Sequence, residues 1–139
     1  MQHKDYGELK TLLLVDDDTD DQELFKLALA ELNHPVKCLT AGNGQEALDN
    51  LCTRAYQPDL IFLDLNMPLM NGIVFLKRIK DIDHLKNIPV IIYSTSDEPR
   101  EISTARSMGA VDYITKPARF DELCRLLQVV LAGGTSSLH

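Results

Sequence analysis

Reactive side chains gather at four places in the sequence, each immediately after a short apolar run. Asp16, Asp17 and Asp18 follow the run ending at Val15, and Asp64 follows Leu63. Ser94 and Thr95 come after Tyr93, and Thr115 and Lys116 after Ile114. Carboxylates brought close together repel and raise one another's pKa unless a cation intervenes. The donors on offer are all oxygens, with no cysteine or histidine nearby in sequence, which favours Mg²⁺ over zinc or copper. Mg²⁺ commonly takes one or two carboxylates plus a phosphate oxygen, so a further carboxylate stays free to react. A lysine and a hydroxyl able to reach phosphoryl oxygens complete what phosphoryl transfer needs, which is charge neutralisation and positioning.

Such a set works only if the chain brings the four places to one edge. Five runs have strand length and little alternation: Thr11 to Val15, Val36 to Leu39, Leu60 to Leu63, Val90 to Tyr93 and Val111 to Ile114. That pattern suits parallel strands buried on both faces. Helical segments are expected over Asp20 to Asn33, Gly44 to Arg54, Asn71 to Asp81, Glu98 to Ser107 and Arg119 to Leu131. In the last of these Phe120, Leu123, Cys124, Leu127, Val130 and Leu131 form one apolar stripe to cover the sheet. Turn signals at His34-Pro35, Gly42-Asn43-Gly44, Gln57-Pro58, Pro68, Pro89 and Gly109 separate the pieces. Strand then helix, five times over, predicts a doubly wound α/β sandwich, in which ligands bind beyond the carboxyl ends of the strands.

The 139 residues, 45% hydrophobic and 25% charged, have the balance of one globular domain. We expect an extension over 1–10, a domain over 11–131 and a flexible tail over 132–139. The net charge of −7 argues against a nucleic-acid surface. The run Leu12 to Val15 is too short for a signal or membrane segment, so a cytoplasmic protein is expected. Cys38, Cys52 and Cys124 lack metal-ligand spacing and read as reduced thiols, and His3, His34, His84 and His139 read as surface residues.

Four segments, L-L-L-V-D-D-D, F-L-D-L-N-M-P, V-I-I-Y-S-T-S and D-Y-I-T-K-P, in this order over about Thr11 to Leu131, resemble the receiver domains of two-component response regulators, of the CheY-like single-domain type. The segment Y-S-T-S-D-E is similar to regulators paired with bacterial phytochrome-type kinases. The resemblance implies a flavodoxin-like strand order 2-1-3-4-5. It makes Asp64 the phosphoacceptor, with Asp16, Asp17 and the backbone carbonyl of Asn66 holding Mg²⁺ beside it. It further implies Ser94 as the switch hydroxyl, Lys116 as the lysine contacting the phosphoryl group, Tyr113 as the aromatic whose rotamer follows the switch, and a cis Lys116–Pro117 bond. Asp18 rivals Asp17 for the metal in this acidic run. Because Val15 ends the strand, Asp18 moves into the loop where Thr19, Asp20 and Asp21 suggest helix capping.

The implied partners are a sensor histidine kinase as donor and, as recipient, a target protein or a histidine phosphotransfer protein in a relay. The protein is then a switch rather than a turnover enzyme. With no output domain after Leu131, signalling is expected from the receiver's own surface. That surface includes self-association through the face of the fourth helix, fifth strand and fifth helix, where Leu126 and Val129 lie off the apolar stripe. Two other readings fit less well. A calcium loop over Asp16, Asp18 and Asp20 would have Asp21 in place of its glycine and Leu27 in place of its glutamate. A haloacid-dehalogenase-type phosphatase with Asp16 as nucleophile would have Asp20 where Thr or Val belongs.

Overall fold

The computed structural model describes residues 10–32, 36–67 and 69–132. Its elements alternate without exception: β1 (Thr11–Val15), α1 (Thr19–Ala30), β2 (Lys37–Ala41), α2 (Gly44–Cys52), β3 (Leu60–Leu63), α3 (Gly72–Lys80), β4 (Val90–Ser94), α4 (Pro99–Ser107), β5 (Asp112–Thr115) and α5 (Phe120–Leu131). All strand pairs are parallel, in the order β2-β1-β3-β4-β5 expected from the sequence.

β1, β3 and β4 are interior strands with nearly every residue buried, so their sequences run apolar without alternation. Each face carries its own core. Leu13, Val15, Ile61, Leu63 and Ile92 meet α2 and α3 through Ala47, Leu51, Phe75, Leu76 and Ile79. Leu12, Leu14, Phe62 and Ile91 meet α1 and α5 through Phe25, Ala28, Leu123, Leu127 and Val130. Phe25, Phe62 and Tyr93 stack edge to face, with centroids 5.1, 5.5 and 5.8 Å apart. Each such pair adds about 0.5–1.5 kcal/mol beyond area burial. They fix the first turns of α1 above the ends of β3 and β4.

The helices start where polar caps allow. Asp18 accepts from the backbone N–H groups of Asp20 and Asp21, so the cap of α1 is Asp18 itself, in correction of the capping expected from Thr19, Asp20 and Asp21, which lie within the helix. Asn43 accepts from Glu46 N, and Glu46 reaches back to Gly42 N. Asn71 accepts from Val74 N, opening α3 directly behind Asp64. Gly72 makes that approach feasible: a Cβ there would lie 2.4 Å from the carbonyl oxygen of Asp64.

Strand ends depart from the sequence expectation where pairing outruns apolarity. β2 starts at Lys37 and continues through Thr40 and Ala41, because the register pairs Val15 with Ala41. β5 likewise starts at Asp112, leaving Val111 exposed before it. The stripe on α5 is corrected at its first residue, since Phe120 is 41% exposed. Leu126 and Val129 are half-buried rather than exposed, and Leu126 packs against the α1–α5 core, so the apolar surplus expected of that face is smaller. His84 is exposed, as expected. The His34-Pro35 and Pro68 turns, His3, His139 and the N-terminal extension up to residue 9 lie outside the described residues, as does the tail from residue 133.

Candidate functional site: an acidic edge with one lysine

Backbone pairing carries the four reactive segments to one edge. Val15 pairs with Leu63, and Asp64 N donates to Val15 O at 2.9 Å, so Asp16 and Asp64 emerge from adjacent strands. Asp16 N donates to Ala41 O at 3.0 Å, and Lys116 N donates to Ser94 O at 2.7 Å, tying the end of β5 to β4. Carboxylate oxygens of Asp16, Asp17 and Asp64 lie within 4.8 Å of one another. Asp16 and Asp64 are buried and Asp17 is exposed.

One ammonium serves this edge. Lys116 Nζ lies 2.8 Å from Asp16 Oδ2, 2.8 Å from Asp21 Oδ2 and 3.3 Å from Asp64 Oδ2. Its stem is nearly buried, with the charge 5.5 Å from the centre of the Tyr93 ring. Burial alone would lower the lysine's pKa, but hydrogen bonds to Asp16 and Asp21 outweigh it and the ammonium is held more firmly than usual. Asp16 behaves oppositely. Burial pushes its carboxyl up, and the Lys116 contact and the N–H of Asp18 return only part of that. The lysine is held charged by its carboxylate partners, whereas at Asp16 burial outweighs the one ammonium it shares with Asp21 and Asp64.

That excess of carboxylates is what a divalent cation would relieve. Asp16 Oδ2 is buried 2.8 Å from Lys116 Nζ without a well-aligned hydrogen bond, so it keeps acceptor capacity toward the cluster. Asp64 Oδ1 accepts weakly from Asn66 N at 3.3 Å. Hard oxygen donors in this number suit Mg²⁺ or Mn²⁺, so the residues present fit the expected metal.

The switch candidates lie on β4 and β5. Ser94 is buried and its Oγ accepts from Ser96 N at 3.3 Å. Tyr113 is buried and donates from its hydroxyl to Ser96 O at 2.9 Å. Burial raises the Tyr113 pKa, partly offset by its hydrogen bond to Ser96. The Lys116–Pro117 peptide is trans, in correction of the expected cis bond. An X–Pro bond differs by only about 0.5–1 kcal/mol between isomers, and from the trans backbone Lys116 already spans Asp16, Asp21 and Asp64.

Residues 12–128 match the response regulator receiver domain model, from Leu12 in β1 to Gln128 in α5 and so reaching into all ten elements. The chain belongs to the receiver domain family. It is 34% identical over 120 residues to chemotaxis protein CheY1 of Helicobacter pylori, covering 86% of this chain and 95% of that protein. With protein PilH of Pseudomonas aeruginosa it shares 32% over 122 residues, covering 88% and 98%. Other relatives are longer: the chain spans 50% of the probable C4-dicarboxylate response regulator DctR of Bacillus subtilis, at 34% identity and 84% of this chain. Among solved structures, the phosphorylated cyanobacterial phytochrome response regulator RcpA superposes with a TM-score of 0.81 at 35% identity, covering 87% of this chain and 90% of that one. The Mn²⁺-bound response regulator Rcp1 gives 0.81 at 26% identity, covering 94% and 97%. The receiver is a signalling module of two-component systems. Among the described residues no helix is long and apolar enough to cross a membrane.

The receiver motifs all reach this edge. Asp21 is the residue that sequence reasoning missed, because it had been assigned to helix capping. Its position four residues before Phe25 was the available signal, since that spacing puts it on the buried face of α1.

Proposed function

We propose that this receiver accepts a phosphoryl group on Asp64 from a phosphorylated histidine of a sensor kinase and signals by binding other proteins. The observation that carries the reading is the meeting of Asp64 with Asp16 and Asp17 within 4.8 Å and with the Lys116 ammonium at 3.3 Å. In the transfer, an Asp64 carboxylate oxygen forms a bond to phosphorus as the phosphorus–nitrogen bond breaks, and the donor ring, already protonated on its other nitrogen, keeps the bonding electron pair and leaves as neutral imidazole. Lys116 faces the incoming phosphoryl oxygens. Asp16, Asp17, Asp64 and the Asn66 carbonyl would hold Mg²⁺, which when bound supplies further charge neutralisation at those oxygens.

Ser94 and Tyr113 would report the new charge. A shift of the Ser94 hydroxyl toward a phosphoryl oxygen breaks its contact with Ser96 N, and Ser96 O is the acceptor for Tyr113. One loop thus links both residues, giving a two-state element that phosphorylation biases. The recipient would be a target protein or a histidine phosphotransfer protein, met in the cytoplasm and without nucleic acid. Self-association through α4, β5 and α5 belongs to the same proposal, with sedimentation in the presence and absence of beryllofluoride as its check. The reading is tested by incubating the chain with histidine kinases and labelled ATP: label passes to the wild type and not to Asp64→Asn, and equal labelling of both would overturn it.

A further inference from the structure

Lys116 has three carboxylate partners, and they differ in what happens to them when the site is used. Asp16 belongs to the trio that fits a cation, and Asp64 is the residue proposed to become an acyl phosphate. Asp21 belongs to neither group. It accepts from Lys116 Nζ at 2.8 Å, closer than Asp64 at 3.3 Å, and it comes from a different element, the first turn of α1.

The fold holds Asp21 there. Its backbone N–H is capped by Asp18 at 3.1 Å, and Phe25, one turn later on the same face, is locked edge to face against Phe62 and Tyr93. Tyr93 is also the ring beneath the Lys116 charge. Asp21 and Lys116 thus rest on one aromatic cluster although 95 residues separate them.

We propose that Asp21 is a positioning residue for phosphoryl capture: it anchors the Lys116 ammonium while the lysine's other two partners turn to the metal and to phosphorus. The inference rests on the phosphoacceptor reading of Asp64. Holding the ammonium in place before the anion arrives removes the reorganisation that a free lysine would undergo. A plain charge effect has the opposite sign, since removing a carboxylate near an anion site tightens anion binding.

Calorimetric titration with beryllofluoride and Mg²⁺ separates the two. Asp21→Ala is expected to bind about three- to tenfold more weakly than wild type, within the range of coupling for directly contacting groups. Asp21→Asn should fall between, because its amide oxygen still accepts. In a Lys116→Ala background, adding Asp21→Ala should weaken binding no further. The ¹⁵N signal of the Lys116 ammonium, sharp in the wild type without metal, should broaden or vanish in Asp21→Ala. Binding by Asp21→Ala as tight as wild type, or an equal loss with and without Lys116, would overturn the role of Asp21 and leave Asp64 untouched. A wild type that fails to bind beryllofluoride would instead bring down the phosphoacceptor reading and this inference with it.

Discussion

Replacing Gly72 by alanine is a one-methyl perturbation aimed at the backbone of Asp64, the proposed phosphoacceptor. The new Cβ would meet Asp64 O at 2.4 Å, Leu65 Cα at 2.7 Å and Leu65 Cδ2 at 2.9 Å. Relief to an ordinary contact, 3.4 Å or more, requires movement of about 1 Å at Asp64, which β1 and β3 resist through their register. Overpacking of this kind costs about 1–3 kcal/mol, offset by part of the roughly 1 kcal/mol by which alanine outranks glycine in a helix. We expect a net loss of about 1–2 kcal/mol in urea unfolding and a Tm lower by roughly 3–10 °C. Misplacement of a reacting group by about 1 Å can cost on the order of 10²-fold, so beryllofluoride affinity should fall at least about tenfold. Gly42→Ala is the control: its Cβ would meet only Glu46 Oε1, at 3.5 Å, and should change stability by less than about 0.5 kcal/mol. If Gly72→Ala matched the control in both stability and binding, the claim that α3 abuts Asp64 through Gly72 would be wrong.

Three further outcomes follow from the site. The raised carboxyl of Asp16 means that the folded protein keeps its proton more readily than the unfolded chain, a stabilisation present below the ordinary carboxylate range and lost as pH rises through the folded value. Ionised Asp16 therefore burdens the metal-free fold, and Asp16→Asn should melt higher than wild type in EDTA at pH 7, with the gap closing toward about pH 4; a lower melt at pH 7 would contradict this. Mg²⁺ titrations should show strong weakening in Asp17→Ala and slight weakening in Asp18→Ala, whose side chain caps α1; the reverse order would move the metal ligand by one residue. Ser96→Ala should change the autodephosphorylation rate modestly while leaving loading intact, because neither Asn66 nor Ser96 can act as a base near neutral pH and both can only position water. Unchanged rates in both Ser96→Ala and Asn66→Ala would remove water positioning from the account.

The sheet was legible in the sequence because burial on both faces writes itself as uninterrupted apolar runs, as in Leu12–Val15 and Leu60–Leu63. Edges were less so. Thr40, Ser94 and Thr115 extend strands through backbone pairing that side-chain polarity does not reveal. The acidic edge was legible because parallel strands must end at the same side, so Asp16, Asp64 and Lys116 had to converge. What could not be read was the sharing of Lys116. Whether an aspartate in an acidic run caps a helix or reaches across it depends on helix rotation, and here Asp18 does the first and Asp21 the second. The exposure of Phe120 is similar, because helical spacing gives a stripe's direction and not where its first turn leaves the sheet.

The most direct measurement is the intact mass of the protein after exposure to phosphoramidate and Mg²⁺, with hydroxylamine treatment to reveal an acyl phosphate. One added phosphoryl group is expected on the wild type, cleaved by hydroxylamine and absent when Mg²⁺ is withheld, and none on Asp64→Asn. A phosphoryl group that persists on folded Asp64→Asn, or one that resists hydroxylamine, would contradict it.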